Sequence, residues 1–318
     1  MINYFLGPVL FIVLSWSLYN QVIHQPDLPH RWNEIRSCWH SWQFWLVVFL
    51  MIVNWGFEAR KWQLLIAHLQ HLSFIKAFES VLSGSSVTML TPNRVGEYGG
   101  RILYVDEGNR IKAISLTIVG SISQLLITMF TGCLGLTYLR FFSQNNNALN
   151  VLPDVWSNIL LYISIAFTLV LLLFYFRISW LVRMMEKVPA LQKIVKHIQV
   201  LDEFSNKQLL HILFLSFIRY VVFVVQYILL LQVMQTGIGS ITGFWLISVF
   251  YLVLAIAPTF GFIELPVRAK ASWEILRYYS NNELGVGAAA LGIWFINLVI
   301  PAIIGSLLIL SIKIVKSK

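Results

Sequence analysis

A chain of 318 residues with 58% hydrophobic and only 12% charged side chains cannot fold as a soluble domain, where about 25% charge is usual. A mean hydropathy of +0.74 makes lipid the solvent; at about 20 residues per crossing the chain has room for roughly six to eight spans and no large soluble domain. The net charge is +9, but the basic residues cluster in the connections, where they set orientation and touch anionic headgroups; no basic, aromatic-interleaved soluble segment offers itself to nucleic acid.

Six apolar runs read as spans, at 2–22, 42–57, 113–139, 157–176, 209–234 and 285–312. The first has no basic n-region and no A-x-A-like site after it, so it reads as a retained span and not as a cleaved signal. Two other segments are less apolar. Residues 72–90 carry Lys76, Glu79 and several serines, and 241–260 run into a loop at Pro258. Thr91-Pro92 and Ala257-Pro258 read as helix breaks, because proline disfavours helix in the residue before it. Twelve Trp and twelve Tyr fit interfacial belts. Cys38 and Cys133 show no CxxC pattern and read as structural thiols.

The connections differ in charge. Residues 58–71 carry Arg60 and Lys61, and 177–208 carry Arg177, Arg183, Lys187, Lys193, Lys196 and Lys207. In the second, Leu181, Met184, Met185, Val188, Leu191, Ile194 and Ile198 recur at helical spacing, which predicts an amphipathic helix on the cytoplasmic surface. Residues 141–156 and 232–243 hold no Lys or Arg and read as external. The tail, with Lys313, Lys316 and Lys318, reads as internal. The crossings then balance only if 72–110 enters and leaves from the inner face and 241–283 from the outer face. Arg268, Lys270 and Arg277 in the outer segment must therefore lie within the protein. The expected fold is all-α: a single integral membrane domain over 1–318, with about six transmembrane helices, two opposed re-entrant helical hairpins and both termini cytoplasmic.

The two intermediate segments resemble each other. Phe78, Pro92, Glu97 and Arg101 in the first match Phe244, Pro258, Glu264 and Arg268 in the second, with one residue more between Pro and Glu. Three spans separate them, so the second copy is inverted, as in transporters built from broken helices.

The segment Thr91-Pro92-Asn93-Arg94-Val95-Gly96-Glu97-Tyr98-Gly99-Gly100-Arg101 packs two arginines, a carboxylate and three glycines between apolar flanks. Ionisable groups at membrane depth are costly and mark function. Arginine binds phosphate bidentately, and glycine lets a headgroup approach backbone N–H groups. Arg94 and Arg101 are thus candidate ligands of a lipid phosphate, with Glu97 as counter-ion or proton carrier; the alternative is a Glu97–Arg101 pair that locks the loop. Glu264 and Arg268 are the second candidate pair, with the same alternative. Pro92, Gly96, Gly99, Gly100, Pro258 and Gly261 shape the two loops. His68 and His71 are three apart, but no zinc-like spacing surrounds them, and Asp106-Glu107 reads as solvated. Ser83-Gly84-Ser85-Ser86 reads as small-residue packing on a helix. No metal, cofactor, P-loop, Rossmann fingerprint or hydrolase elbow is expected.

At Thr91-Pro92-Asn93-Arg94-Val95-Gly96-Glu97 the sequence resembles the lysylphosphatidylglycerol synthase transmembrane-region family, also called flippase-like or UPF0104 proteins. That family shows a TPGRxGE-type loop followed by Arg, and a later Pro…Gly…Glu segment resembled here by Pro258, Gly261 and Glu264. Asn93 stands at the usual Gly, and Gly99-Gly100 precede Arg101. In bifunctional members a soluble aminoacyltransferase follows the membrane region, whereas this sequence ends at Lys318. The resemblance therefore implies a stand-alone lipid-translocating part and argues against lysine transfer. The expectation is a flippase-like, non-enzymatic protein of the bacterial inner (plasma) membrane, holding an anionic phospholipid or lipid-linked phosphate between Arg94, Arg101 and Arg268. Membrane lipids and a separate lipid-modifying enzyme are its expected partners. A small-solute or ion carrier and a membrane-embedded headgroup-transferring enzyme are the rivals.

Overall fold

The computed structural model describes residues 28–91, 96–141, 154–188, 192–256 and 264–316, together with Trp16. Helix dominates, and no strand occurs among the described residues. In chain order the helices are α1 (Leu28–Ser37), α2 (Trp42–Ile66), α3 (Phe74–Leu90), α4 (Gly96–Arg101), α5 (Arg110–Phe141), α6 (Asp154–Phe176), α7 (Ile178–Glu186), α8 (Gln192–Ile198), α9 (Asn206–Val233), α10 (Ser240–Ile256), α11 (Glu264–Leu276), α12 (Glu283–Trp294) and α13 (Ile300–Lys316). A π-turn over Phe295–Val299 joins the last two. Among the described residues, five stretches are long and apolar enough to cross a membrane: Trp42–Ile66, Glu107–Phe141, Asn158–Phe176, Asn206–Val233 and Glu283–Ile312. They overlie five of the expected spans; the sixth, 2–22, falls outside the described residues except for Trp16. The protein is an all-α, multi-pass membrane protein.

Side chains set the helix starts. The hydroxyls of Ser41 and Ser73 accept hydrogen bonds from the N–H groups of Phe44 and Lys76, capping α2 and α3. Ser205 and Gln208 form a reciprocal capping box on α9. Asn282 caps α12 by accepting from the Gly285 N–H at 2.9 Å.

The first departure from the sequence reading is in α2. The apolar run ends at residue 57, which made 58–71 a cytoplasmic connection, yet the helix continues to Ile66 and buries Glu58 and Lys61. The reason is local neutralisation. The two charges pair with each other, and Trp62, Leu65 and Ile66 carry the buried stripe onward. The chain then turns at Ala67, so His68 and His71 do not share a helix face. His68 instead meets Glu203 at 3.4 Å and Gln208 at 3.1 Å.

Both broken segments return to the end from which they start. Gln70, before α3, donates to the Tyr104 carbonyl and accepts from the Asp106 N–H, after α4. Asn282, after α11, donates at 2.7 Å to the carbonyl of Met234, before α10. The first junction lies near His68 and Gln208, at the start of α9, and the second lies at its end. The two hairpins therefore enter from opposite ends of the molecule. Their packing is reciprocal. The helices that precede them, α2 and α9, pack on each other; α3 packs on α13, which follows the second hairpin, and α10 packs on α5, which follows the first. Small residues allow the close approach. A Cβ at Gly305 of α13 would overlap the Leu82 carbonyl of α3, and one at Gly132 of α5 would strike Leu252 of α10.

The expected amphipathic segment is two short helices, α7 and α8, rather than one. α7 ends at Glu186, and Val188, which precedes Pro189 in the sequence, is disfavoured in helix. Val182 and Val195 face inward, Trp180 and Met184 are exposed, and Arg183 is tied to Asp202 at 3.2 Å.

Candidate functional site

Four helices bring charge together beneath the first hairpin. Asn54, Glu58 and Lys61 follow one another at spacings of four and three on α2 and so form one stripe. Helix α4 adds Glu97 and Arg101, α5 adds Gly120, Ser123 and Gln124, and α9 adds Ser216 and Arg219.

Helix α4 is held against α3 by glycine and by one hydroxyl. Added Cβ atoms at Gly96 and Gly100 would overlap the carbonyls of Val87 and Ser83, so these two glycines serve helix contact. The expectation that they open backbone N–H groups to a headgroup is corrected here, because α3 already occupies that space. Gly99 is open by comparison, and the Ser83–Ser86 run forms the receiving surface. Thr91 pins the corner. Its hydroxyl donates to the Val87 carbonyl at 3.1 Å and accepts from the Gly96 N–H at 2.7 Å.

Glu58 is the hub. One carboxylate oxygen accepts from Arg101 at 2.6 Å; the other accepts from Arg219 at 2.7 Å and from Lys61 at 2.8 Å. Arg101 also pairs with Glu97. Arg219 donates through Nε to Asn54 at 2.7 Å and through Nη1 to Gln124 at 3.4 Å. Lys61 reaches the Gly120 carbonyl at 3.3 Å and the Ser216 hydroxyl at 3.4 Å. The Arg101 guanidinium lies 5.1 Å from the Trp62 ring centroid, and that of Arg219 lies 5.6 Å from Trp55. Such faces stabilise desolvated cations.

Three cations face two carboxylates, so one positive charge is in excess. Access is uneven. The side chains of Glu58, Lys61 and Arg101 are 4%, 2% and 1% exposed, whereas those of Glu97 and Arg219 are 25% and 23% exposed. A buried frame thus carries one acidic and one basic group at an open edge. The Arg101 Nε is buried without a hydrogen-bond partner among the described residues.

The second pair is separate. Arg268 donates through Nε to Glu264 at 2.8 Å, one helical turn away on α11. It lies beside Tyr227 of α9. Arg219 and Tyr227 are eight residues apart, about 12 Å along the helix. Arg101 and Arg268 therefore belong to two groups along α9 and not to one. Arg94, Pro92, Pro258 and Gly261 lie outside the described residues. Sequence reasoning passed over Asn54, Glu58, Lys61 and Arg219. The signal was present in Arg219, a lone arginine inside the run 209–234.

The family described as Lysylphosphatidylglycerol synthase TM region matches residues 4–264. The chain belongs to this lysylphosphatidylglycerol synthase transmembrane-region family. A search of the curated proteins found no match. The family match spans the whole buried cluster, on α2, α4, α5 and α9, and ends at Glu264. Among the described residues, no group of three or more His, Cys, Asp or Glu could hold a metal ion.

Proposed function

We propose that this chain binds and moves a phospholipid or lipid-linked phosphate across the bacterial inner (plasma) membrane, with both termini cytoplasmic. The observation that supports this reading best is the surplus positive charge of the buried cluster, reachable at Arg219. An anionic headgroup brings the missing charge. Its phosphate takes the open side of Arg219, and Glu97, half out of the frame, yields its place beside Arg101. Glu58 stays as the fixed counter-ion and keeps the three cations in position when no headgroup is bound. Acyl chains remain in lipid. Arg94, three residues before Glu97 in the sequence, adds a further phosphate ligand on this reading, and the Arg268–Glu264 pair offers a second station further along α9. The membrane lipids themselves are the partners, with a separate enzyme making or modifying the lipid; the chain acts as a carrier and performs no group transfer.

The test is reconstitution of the purified chain in liposomes that contain headgroup-labelled lipids. Transbilayer movement of an anionic phospholipid at several times the protein-free rate, and faster than that of a zwitterionic one, is the expected result. Movement of neither, together with movement of a small phosphate-bearing solute, would favour the solute-carrier reading.

A further inference from the structure

At the end of α9 opposite to α7 and α8, the turn after α9 and the turn between α11 and α12 border an open cleft of about 580 Å³. This is within the range of small-molecule sites, about 300–1,000 Å³. Gln235, Thr236, Tyr278, Tyr279, Asn281 and Asn282 line it. The walls are fixed before any ligand arrives. Asn282 ties its turn to the Met234 carbonyl at 2.7 Å, and Thr236 donates to the Leu231 carbonyl at 3.0 Å. Gln235 holds a φ of 50°, a conformation that non-glycine residues adopt rarely and that recurs at binding sites.

The chemistry of the lining is polar and uncharged. Amides from Gln235 and Asn281 can both donate and accept. Tyr278 is held by Arg277, whose Nη2 donates to its hydroxyl at 3.0 Å. Tyr279 supplies a second ring. The charges nearby balance two against two: Glu274 pairs with Lys270 at 3.2 Å and with Arg277 at 3.0 Å, and Glu283 lies within electrostatic reach of Lys270. Glu283 follows Asn282 directly, and its Oε1 is buried without a hydrogen-bond partner among the described residues. A phosphate finds no uncompensated cation here, and an ammonium finds no uncompensated pair of carboxylates.

We infer that this cleft binds a neutral, hydroxyl-rich ligand of sugar size, stacked on tyrosine and hydrogen-bonded by the amides. The inference is independent of the translocation reading. It is tested by saturation-transfer NMR on the full chain in detergent micelles, with methyl α-D-glucopyranoside as the probe. Saturable transfer to the sugar ring protons is expected, at least fivefold weaker in Asn281→Leu and Tyr279→Ala and unchanged in Arg183→Gln at the far end. Asn281 is exposed, so its variant keeps the fold even if the tyrosine variant does not. A second arm offers the same sugar on a diacylglycerol anchor in nanodiscs; preference for it identifies a glycolipid headgroup, and preference for the soluble glycoside identifies a free sugar. No saturable transfer from either form, equal transfer in the two cleft variants, or stronger binding of glycine betaine or inorganic phosphate would overturn the inference.

Discussion

Glu58→Gln is expected to lower folding stability by about 3–5 kcal/mol, the usual consequence of removing one partner from a buried ion pair. The cause is specific. Glu58 is the single carboxylate that touches Lys61, Arg101 and Arg219, and its side chain is buried. Glutamine keeps the shape but leaves three cations with Glu97 alone. Thermal unfolding in detergent should show the loss as a fall in Tm on the order of 10 °C. Adding Lys61→Met to the variant removes a deeply enclosed cation that, unlike Arg101, does not pair with Glu97, and should recover part of the loss. Unchanged stability in Glu58→Gln, or no recovery in the double variant, would contradict the account of Glu58 as the hub.

Arg219→Gln is expected to behave in the opposite way, leaving the fold largely intact and removing transport. Without Arg219, Glu58 still pairs with Lys61 and Arg101, and the vacated position opens to the accessible edge, so no charge is stranded. The surplus positive charge disappears with it. In liposomes the variant should lose at least tenfold in transbilayer movement of an anionic phospholipid, with a thermal transition close to that of the parent chain. Arg219→Lys should restore only part of the rate, because lysine cannot bond Asn54, Gln124 and a phosphate in one plane. Full transport in Arg219→Gln would remove this residue from the binding site.

How much of this was legible in the sequence differs between fold and site. The spans were legible because lipid imposes long apolar runs, and the two hairpins because charge in the connections and proline at Pro92 and Pro258 constrain the crossings. Reciprocal packing of α3 on α13 and α10 on α5 was beyond it, since Gly132 and Gly305 look like any other small residues in a membrane helix. In the site, Glu97 and Arg101 stood out because they are crowded into a short glycine-rich motif. Glu58 and Lys61 did not. Beside Arg60 they looked like the wet end of a span, and only the three-dimensional pairing with Arg101 and Arg219 shows that the helix carries them inward. Hydropathy counts each charge as exposed; it cannot register that a partner more than a hundred residues away neutralises it. The glycines misled in the other direction, because Gly96 and Gly100 meet the requirements of helix packing as well as those of headgroup access.

The central claim is that the cluster around Glu58 and Arg219 holds an anionic headgroup. Native mass spectrometry of the detergent-purified chain, loaded with a defined mixture of anionic and zwitterionic phospholipids, tests it most directly. The parent chain should retain one anionic lipid in preference to zwitterionic lipid, and Arg219→Gln should lose that preference. Equal retention of both lipid classes by the parent chain, or an anionic preference unchanged in the variant, would contradict the claim.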